Sequence, residues 1–376
     1  MTRATIAPEP QSIGRPEADD LQRMVERLDG EMVRMAGRRV LITGGAGFLG
    51  YYLVRSIVHY NAGARRPIEL TVLDNFSRGE PPWLRALESS HVEVMRHDVT
   101  RPLPVGLDPA FIVHAASIAS PSYYRTYPIE TMDANVRGLR HLLDHCMARK
   151  DAGRPVESVL FFSSSEIYGD PESEHIPTPE TYPGRVSCTG PRACYDESKR
   201  YGETLCVNYH QQHGLPIRIV RPFNNYGPGL DIRDRRLLAD FARCVLADRD
   251  IVMYSDGSPT RTFCYVADAV VGYYRALVRG RAGEAYNIGN EAPEIAVRDV
   301  AEKVVSIARD LFGYAGRAIY QTHDEADYLT DNPQRRCPAI AKARAELEFE
   351  PEISLDEGLR RSLLWYQRRA AEGEGV

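Results

Sequence analysis

The run Gly44-Gly45-Ala46-Gly47-Phe48-Leu49-Gly50 constrains this chain more than any other stretch. It follows the short apolar segment Arg39–Thr43, which reads as a strand, and it opens a segment with helical spacing. Strand, glycine turn and helix in that order make the phosphate-binding turn of a dinucleotide site. Gly44, Gly47 and Gly50 permit the tight turn and let the backbone approach a pyrophosphate, whose charge then sits at the helix N-terminus beside Phe48 and Leu49. Asp74 follows the second strand, Ile68–Leu73, and is the expected partner of the ribose hydroxyls. A carboxylate there repels a 2′-phosphate and favours NAD over NADP, while Arg78 nearby is a group that could accept that phosphate. Asp98 and Val99 follow the third strand, His91–Met95, and fall near the adenine.

The rest of the chain keeps the same alternation. Phe111–His114, Ser158–Ser163 and Ile217–Arg221 read as strands, and about Ile129–Arg149 and Tyr195–His213 as helices. Such alternation implies an α/β fold, a Rossmann-type doubly wound parallel sheet covered on both faces. The length of 376 residues exceeds what one core of roughly 250–300 residues supports, so a second lobe is expected. After Pro222 the chain becomes loop-rich and arginine-rich, with helices near 297–312 and 355–370, which suits a smaller α/β lobe. Ahead of the glycine turn, Leu21, Met24, Leu28 and Met32 predict one amphipathic helix over Asp19–Met35, packed on the main body. Residues 1–16 are Pro-rich and polar and read as disordered.

Composition excludes several classes of function. With 47 basic and 52 acidic residues the net charge is −5, and no basic run is long enough to follow a phosphate backbone, so nucleic acid is not an expected partner. No apolar run approaches the roughly 18 residues of a membrane helix. The seven cysteines form no CxxC pair and the histidines show no ligand spacing, so no metal site is expected and reduced thiols in a cytoplasm are. Only Lys150, Lys199, Lys303 and Lys342 are lysines, which draws attention to each of them.

Lys199 stands four residues after Tyr195, so on a helix the phenol and the ammonium share a face. A nearby cation favours phenolate, and the expectation is a tyrosine with a lowered pKa that can act as a base. The segment Ser163-Ser164-Ser165-Glu166 ends the preceding strand at its carboxyl edge, where open α/β sheets hold their ligands. Arg233–Arg236 is either a solvated face or, through Arg236, a phosphate contact.

Four stretches together carry a resemblance: the glycine turn, Ser-Ser-Glu-Ile-Tyr-Gly-Asp-Pro (164–171), Gly-Pro-Arg-Ala-Cys-Tyr-Asp-Glu-Ser-Lys-Arg (190–200) and Arg-Pro-Phe-Asn-Asn-Tyr-Gly-Pro (221–228). The chain resembles the extended short-chain dehydrogenase/reductases (the NAD-dependent epimerases and dehydratases), and within them the UDP-glucuronate decarboxylases, or UDP-xylose synthases. Thr260–Val266 and Asp331–Pro338 also fit, and the similarity runs from about Arg38 to Tyr366. It implies an N-terminal extension over 1–37, an NAD-binding Rossmann domain over 38–223 with its sheet completed by about 262–290, and a nucleotide-sugar lobe with a C-terminal helix over 224–376.

The resemblance also implies roles. Tyr195 takes the proton of the sugar's 4-hydroxyl, Lys199 holds the cofactor ribose, and Ser164 hydrogen-bonds the reacting hydroxyl. Glu166 and Arg336 handle the carboxylate end, and Ser165 assists protonation. Asn224, Arg236 and Arg261 grip the UDP moiety, Arg192 contacts the uronate, and Asn75 joins the NAD contacts. The implied reaction is decarboxylation of UDP-glucuronate through a 4-keto-hexuronate, giving UDP-xylose or releasing the 4-keto pentose. Related 4,6-dehydratases carry Asp-Glu where Ser165-Glu166 stands, and 4-epimerases lack the glutamate, so those reactions are the alternatives. The apolar faces of helices 129–149 and 193–213 form a dimer contact in this family, although a core-facing role explains them equally well.

Overall fold

The computed structural model describes residues 15–321 and 333–373. Residues 1–14 of the segment 1–16 read as disordered, and Asp331 and Asn332 of the last motif, therefore lie outside the described residues, whereas Pro16 of that segment opens a helix. Seven strands form the main sheet: β1 (Arg39–Thr43), β2 (Glu69–Asp74), β3 (Val92–Arg96), β4 (Phe111–His114), β5 (Ser158–Phe162), β6 (Ile217–Pro222) and β7 (Ala285–Ile288). Their spatial order is β7-β6-β5-β4-β1-β2-β3, and every neighbouring pair is parallel. Side chains alternate faces along each strand. Val40 and Ile42 pack with Tyr52, Val54 and Ile57 of the helix Phe48–Asn61. Leu41, between them, packs on the other face with Leu139, Leu142 and Leu143. Both faces are covered, which is why these strands read as continuous apolar runs. Chain order reverses between β1 and β4, and a crevice opens outside their carboxyl ends.

Two expected helices are divided. The segment 129–149 consists of Pro128–Asp133, a wide π-type turn at Ala134–Gly138, and Leu139–Asp151. Within the wide turn the buried Asn135 amide reaches Ser198 Oγ at 2.8 Å. There too Gly138 passes Val99 so closely that a Cβ would lie 2.8 Å from its Cγ2. A single added residue of this kind leaves no mark on hydrophobic period. The N-terminal segment is likewise two helices, Pro16–Arg27 and Asp29–Met35, broken at Leu28.

Those two helices are bound into the body. Leu21, Met24, Leu28, Met32 and Met35 are buried. Asp20 is buried as well: its carboxylate accepts from Tyr52 Oη and Tyr265 Oη at 2.6 Å each, and from the Arg361 guanidinium. Burial raises the Asp20 pKa, while the two phenols and Arg361 oppose that rise. Arg27 pairs with Asp268, and Arg368 with Glu17. The extension thus ties the glycine-turn helix to the helices Val266–Arg279 and Leu355–Ala371.

In the smaller lobe the short strand Thr260–Arg261 pairs antiparallel with Ile295–Ala296 and parallel with Arg335–Arg336. This pairing carries Arg336 to the crevice. Asp20→Ala would leave two buried phenols and one arm of the Arg361 guanidinium without their acceptor, the Nε staying with Glu357 at 2.7 Å, so a loss of about 3 kcal/mol of folding stability is expected, read by denaturation against the parent.

Candidate functional site

The crevice is a cavity of about 860 Å³. Ser164 begins its construction. Its backbone is extended, and its Oγ accepts from Glu166 N at 3.2 Å, capping the single 3₁₀ turn Ser165–Tyr168. That turn carries Glu166 into the cavity wall together with Ser164 and Ser165. The helix Ala193–His213 starts just after Arg192 and presents Tyr195 and Lys199 on the same wall. Asn224, Arg236 and Arg336 line the cavity too, as do Phe48 and Leu49 from the start of the helix after the glycine turn.

Glu166 is held by two guanidiniums. Arg336 donates to both of its oxygens, at 2.6 and 2.5 Å, and Arg192 donates to Oε2. Burial alone would raise this carboxyl's pKa, but Arg192 and Arg336 outweigh burial and hold it at about 2. Glu166 is therefore a fixed negative charge. Arg192, expected to contact the uronate directly, is first of all an ion partner of Glu166.

The tyrosine differs from expectation. Burial pushes its phenol up to about 12, against the opposing effects of the Ser164 hydrogen bond and the charge of Arg236. Lys199 does not bring it down: Nζ lies 5.8 Å from the Tyr195 ring centroid and donates to the Phe162 carbonyl at 2.8 Å. Burial also moves Lys199 itself down to about 7. The expected lowered tyrosine pKa is thus absent from this state of the site, because enclosure penalises both charges at once.

The glycine turn is built as the sequence implied. Gly44 has φ +75°, and a Cβ there would lie 2.6 Å from Ala116 Cα. A Cβ on Gly50 would lie 2.2 Å from the Gly45 carbonyl oxygen. Asp74 accepts from Ala46 N at 3.0 Å and Phe76 N at 2.8 Å, so it stiffens the turn as well as facing the groove beside it. Asn75 Oδ1 accepts from Ser77 N and Asp98 Oδ1 from Thr100 N, at 2.9 Å each. Asp74, Asn75, Asp98 and Val99 lie past β1 at the ends of β2 and β3, beside the cavity and not in its wall. The helix after the turn has no side-chain cap, which leaves its first N–H groups for an anion. This set fits NAD: glycine turn for the pyrophosphate, Asp74 for ribose, Tyr195 and Lys199 in the cavity. Arg78 is taken by Asp234 at 2.7 Å and stacks on Tyr123, so it is not free for a 2′-phosphate.

Arg261 is placed differently from the other expected UDP contacts. Its guanidinium donates to the carbonyls of Thr260 (2.7 Å), Gln334 (3.1 Å) and Pro333 (2.6 Å), and it is not in the cavity wall. In this position it braces the strand that carries Arg336. The structure adds Tyr124, which no spacing relates to residue 195. Its ring stacks on Tyr195 with centroids 5.2 Å apart and 14° between planes. Its hydroxyl is buried with no hydrogen-bond partner among the described residues.

The profile of the NAD dependent epimerase/dehydratase family matches residues 40–289. The chain belongs to that family. Over 322 residues, 85% of this chain and 86% of the relative, it is 38% identical to UDP-glucuronic acid decarboxylase 3 of Arabidopsis thaliana. Over 332 residues, 88% of this chain and 72% of the relative, it is 35% identical to UDP-glucuronic acid decarboxylase 1 of Xenopus tropicalis. Among solved structures, an epimerase from Methanothermobacter thermautotrophicus superposes with a TM-score of 0.76 at 25% identity, covering 93% of this chain and 97% of that one. The dTDP-glucose 4,6-dehydratase of Streptomyces venezuelae, solved with NAD bound, gives 0.71 at 26% identity, covering 89% and 98%.

A lysine whose pKa is lower folded than unfolded binds fewer protons in the native state, so its contribution to stability improves as pH rises from about 7 towards 10.5. In cofactor-free protein, the stability difference between the parent and Lys199→Met should shift in the parent's favour over that window by at most about 1.4 kcal/mol per pH unit. Thermal denaturation from neutral to alkaline pH reads this slope.

Proposed function

We propose that this protein is a UDP-glucuronate decarboxylase. The observation that carries the reading is the state of the arginines around Glu166. Arg336 keeps an Nε–H buried with no hydrogen-bond acceptor among the described residues, and that of Arg192 meets only Asp196 Oδ2, 3.8 Å away. A substrate carboxylate is such an acceptor, and guanidinium forks suit carboxylates. The same site argues against dehydration. Removal of a hydroxyl needs an acid, but Glu166 is ionised at neutral pH and Ser165 is a poor acid.

The chemistry follows from the positions. Oxidation at carbon 4 places a ketone β to the carboxylate, so carbon dioxide can leave and its electron pair becomes an enolate. NAD, when bound, supplies the hydride acceptor for that oxidation and the donor for the return step. Ser164 and Tyr195 bond the 4-hydroxyl, and Tyr195 would take its proton as the phenolate, a form that a cation bound beside it would favour by lowering the phenol's pKa; Ser164 then faces the enolate oxygen. Lys199, anchored on Phe162 O, holds the ribose. Arg336 and Arg192 orient the carboxylate, and Ser165 assists delivery of a proton to carbon 5. Completed reduction gives UDP-xylose, and earlier departure gives the 4-keto pentose. Asn224 and Arg236 take the UDP.

Incubation with UDP-glucuronate and NAD should release carbon dioxide and give a UDP-pentose by NMR, with Tyr195→Phe slower by about 10²–10⁴-fold. A sugar nucleotide that keeps its carboxyl group overturns the assignment.

We also infer a homodimer in the cytoplasm. All seven cysteines are free, as a reducing compartment would keep them. Ile129, Met132 and Tyr201 are 65%, 44% and 50% exposed on neighbouring helices, a patch suited to a second copy. Sedimentation should give a dimer for the parent and a monomer for Ile129→Asp.

A further inference from the structure

Five described non-glycine residues have positive φ: Phe76, Asn224, Arg235, Asp248 and Glu348. Left-handed backbone is costly for residues with a Cβ and persists where something offsets it. Four of the five have a visible offset. Phe76 is buried under the guanidiniums of Arg85 and Arg96. The Asn224 amide donates to Thr262 O at 2.8 Å. Asp248 accepts from Ala315 N at 3.4 Å, and Glu348 pairs with Arg279 at 2.6 Å. Asparagine and aspartate also tolerate this region better than most residues.

Arg235 differs from these four. At φ +60° it is exposed and makes no hydrogen bond, ion pair or ring contact with any described residue. Its one resolved interaction is a through-space attraction to Asp240, whose carboxylate is already paired with Arg243 at 3.1 Å. Yet Arg235 lines the cavity, beside Arg236 and ahead of the helix Leu237–Leu246. Arg236 itself is drawn inward, paired with Asp234 at 3.1 Å and lying over the Phe48 ring, close to the glycine turn. A glycine at 235 would carry no strain, so the arginine is retained against the preference of the fold.

We propose that Arg235 is a further substrate-binding residue whose guanidinium clamps the diphosphate of the nucleotide sugar. This rests on the nucleotide-sugar part of the proposed function but not on decarboxylation. A planar fork suits two phosphate oxygens, and an exposed arm that is free in the apo protein can close over the ligand from the rim. Strain in the free protein is then the counterpart of affinity in the complex.

The test is calorimetric titration of UDP into the purified protein with NAD, for the parent, Arg235→Asn and Arg235→Gly. Asparagine keeps the left-handed preference and removes the charge, which separates the guanidinium from loop flexibility. Both variants should lose roughly fivefold or more in UDP affinity at low salt, and the loss should shrink as sodium chloride rises from about 50 to about 500 mM. Without UDP, Arg235→Gly should melt above the parent, because the strain is gone. A smaller loss, a loss indifferent to salt, or a glycine variant that melts below the parent overturns the proposal. If the protein leaves UDP-glucuronate intact but binds UDP in this Arg235-dependent way, the decarboxylase reading falls and this one stands.

Discussion

A carboxylate can be taken out of water only if cations come with it, and the cations that accompany Glu166 determine how the two halves of the molecule meet. Arg336 is 170 residues away in sequence and arrives on the strand pairing with Thr260–Arg261, itself braced by the Arg261 guanidinium. Arg192 arrives from the chain just ahead of the helix that carries Tyr195 and Lys199. One buried negative charge therefore sets the distance between the smaller lobe and the tyrosine wall, and with it the width of the cavity. The two arginines keep donors in reserve after satisfying Glu166, so the same cluster that joins the lobes also recognises an incoming anion.

Enclosure acts on the other ionisable groups of the site in the opposite sense. Tyr195 and Lys199 each move towards neutrality, to about 12 and about 7, for the same reason: neither has an opposite charge in contact. His114, on the strand behind them, is driven down to about 3 by burial and by Lys199, and its Nδ1 is used by Thr43 Oγ1 at 2.8 Å. The resting site is thus one strong ion cluster beside a neutral phenol and a lysine that loses its charge easily. A positive charge brought beside Tyr195 would add to the smaller effects of Ser164 and Arg236, which burial outweighs.

The parts of this arrangement that could be read from sequence are those with a short-range signature. The glycine turn, the Tyr195/Lys199 spacing and the apolar strands depend on neighbours within a few residues, and the structure places them as the local rules require. Glu166 and Arg336 came from motif resemblance, and their contact depends on lobe docking that no local pattern encodes. The motif around Arg261 marks the residue without revealing that it braces the backbone of the neighbouring strand. Tyr124 left no trace at all, since stacking on a residue 71 positions later is a property of the fold. The divided helices belong to the same class: a wide turn forced by Asn135 and Gly138 answers to Ser198 and Val99, not to its own period.

The Asp20 contact has a consequence for how the chain is made. Its partner Arg361 lies 341 residues further on. At synthesis rates of about 5–20 residues per second, the helix Pro16–Arg27 waits roughly 20–70 s after emerging before the last piece of its pocket exists. During that interval Asp20 has no reason to leave water, and the apolar stripe of Leu21, Met24 and Leu28 has only part of its final cover. The helix Pro16–Arg27 is then made long before the partners that lock it, and it is among the last of the described elements to be fixed.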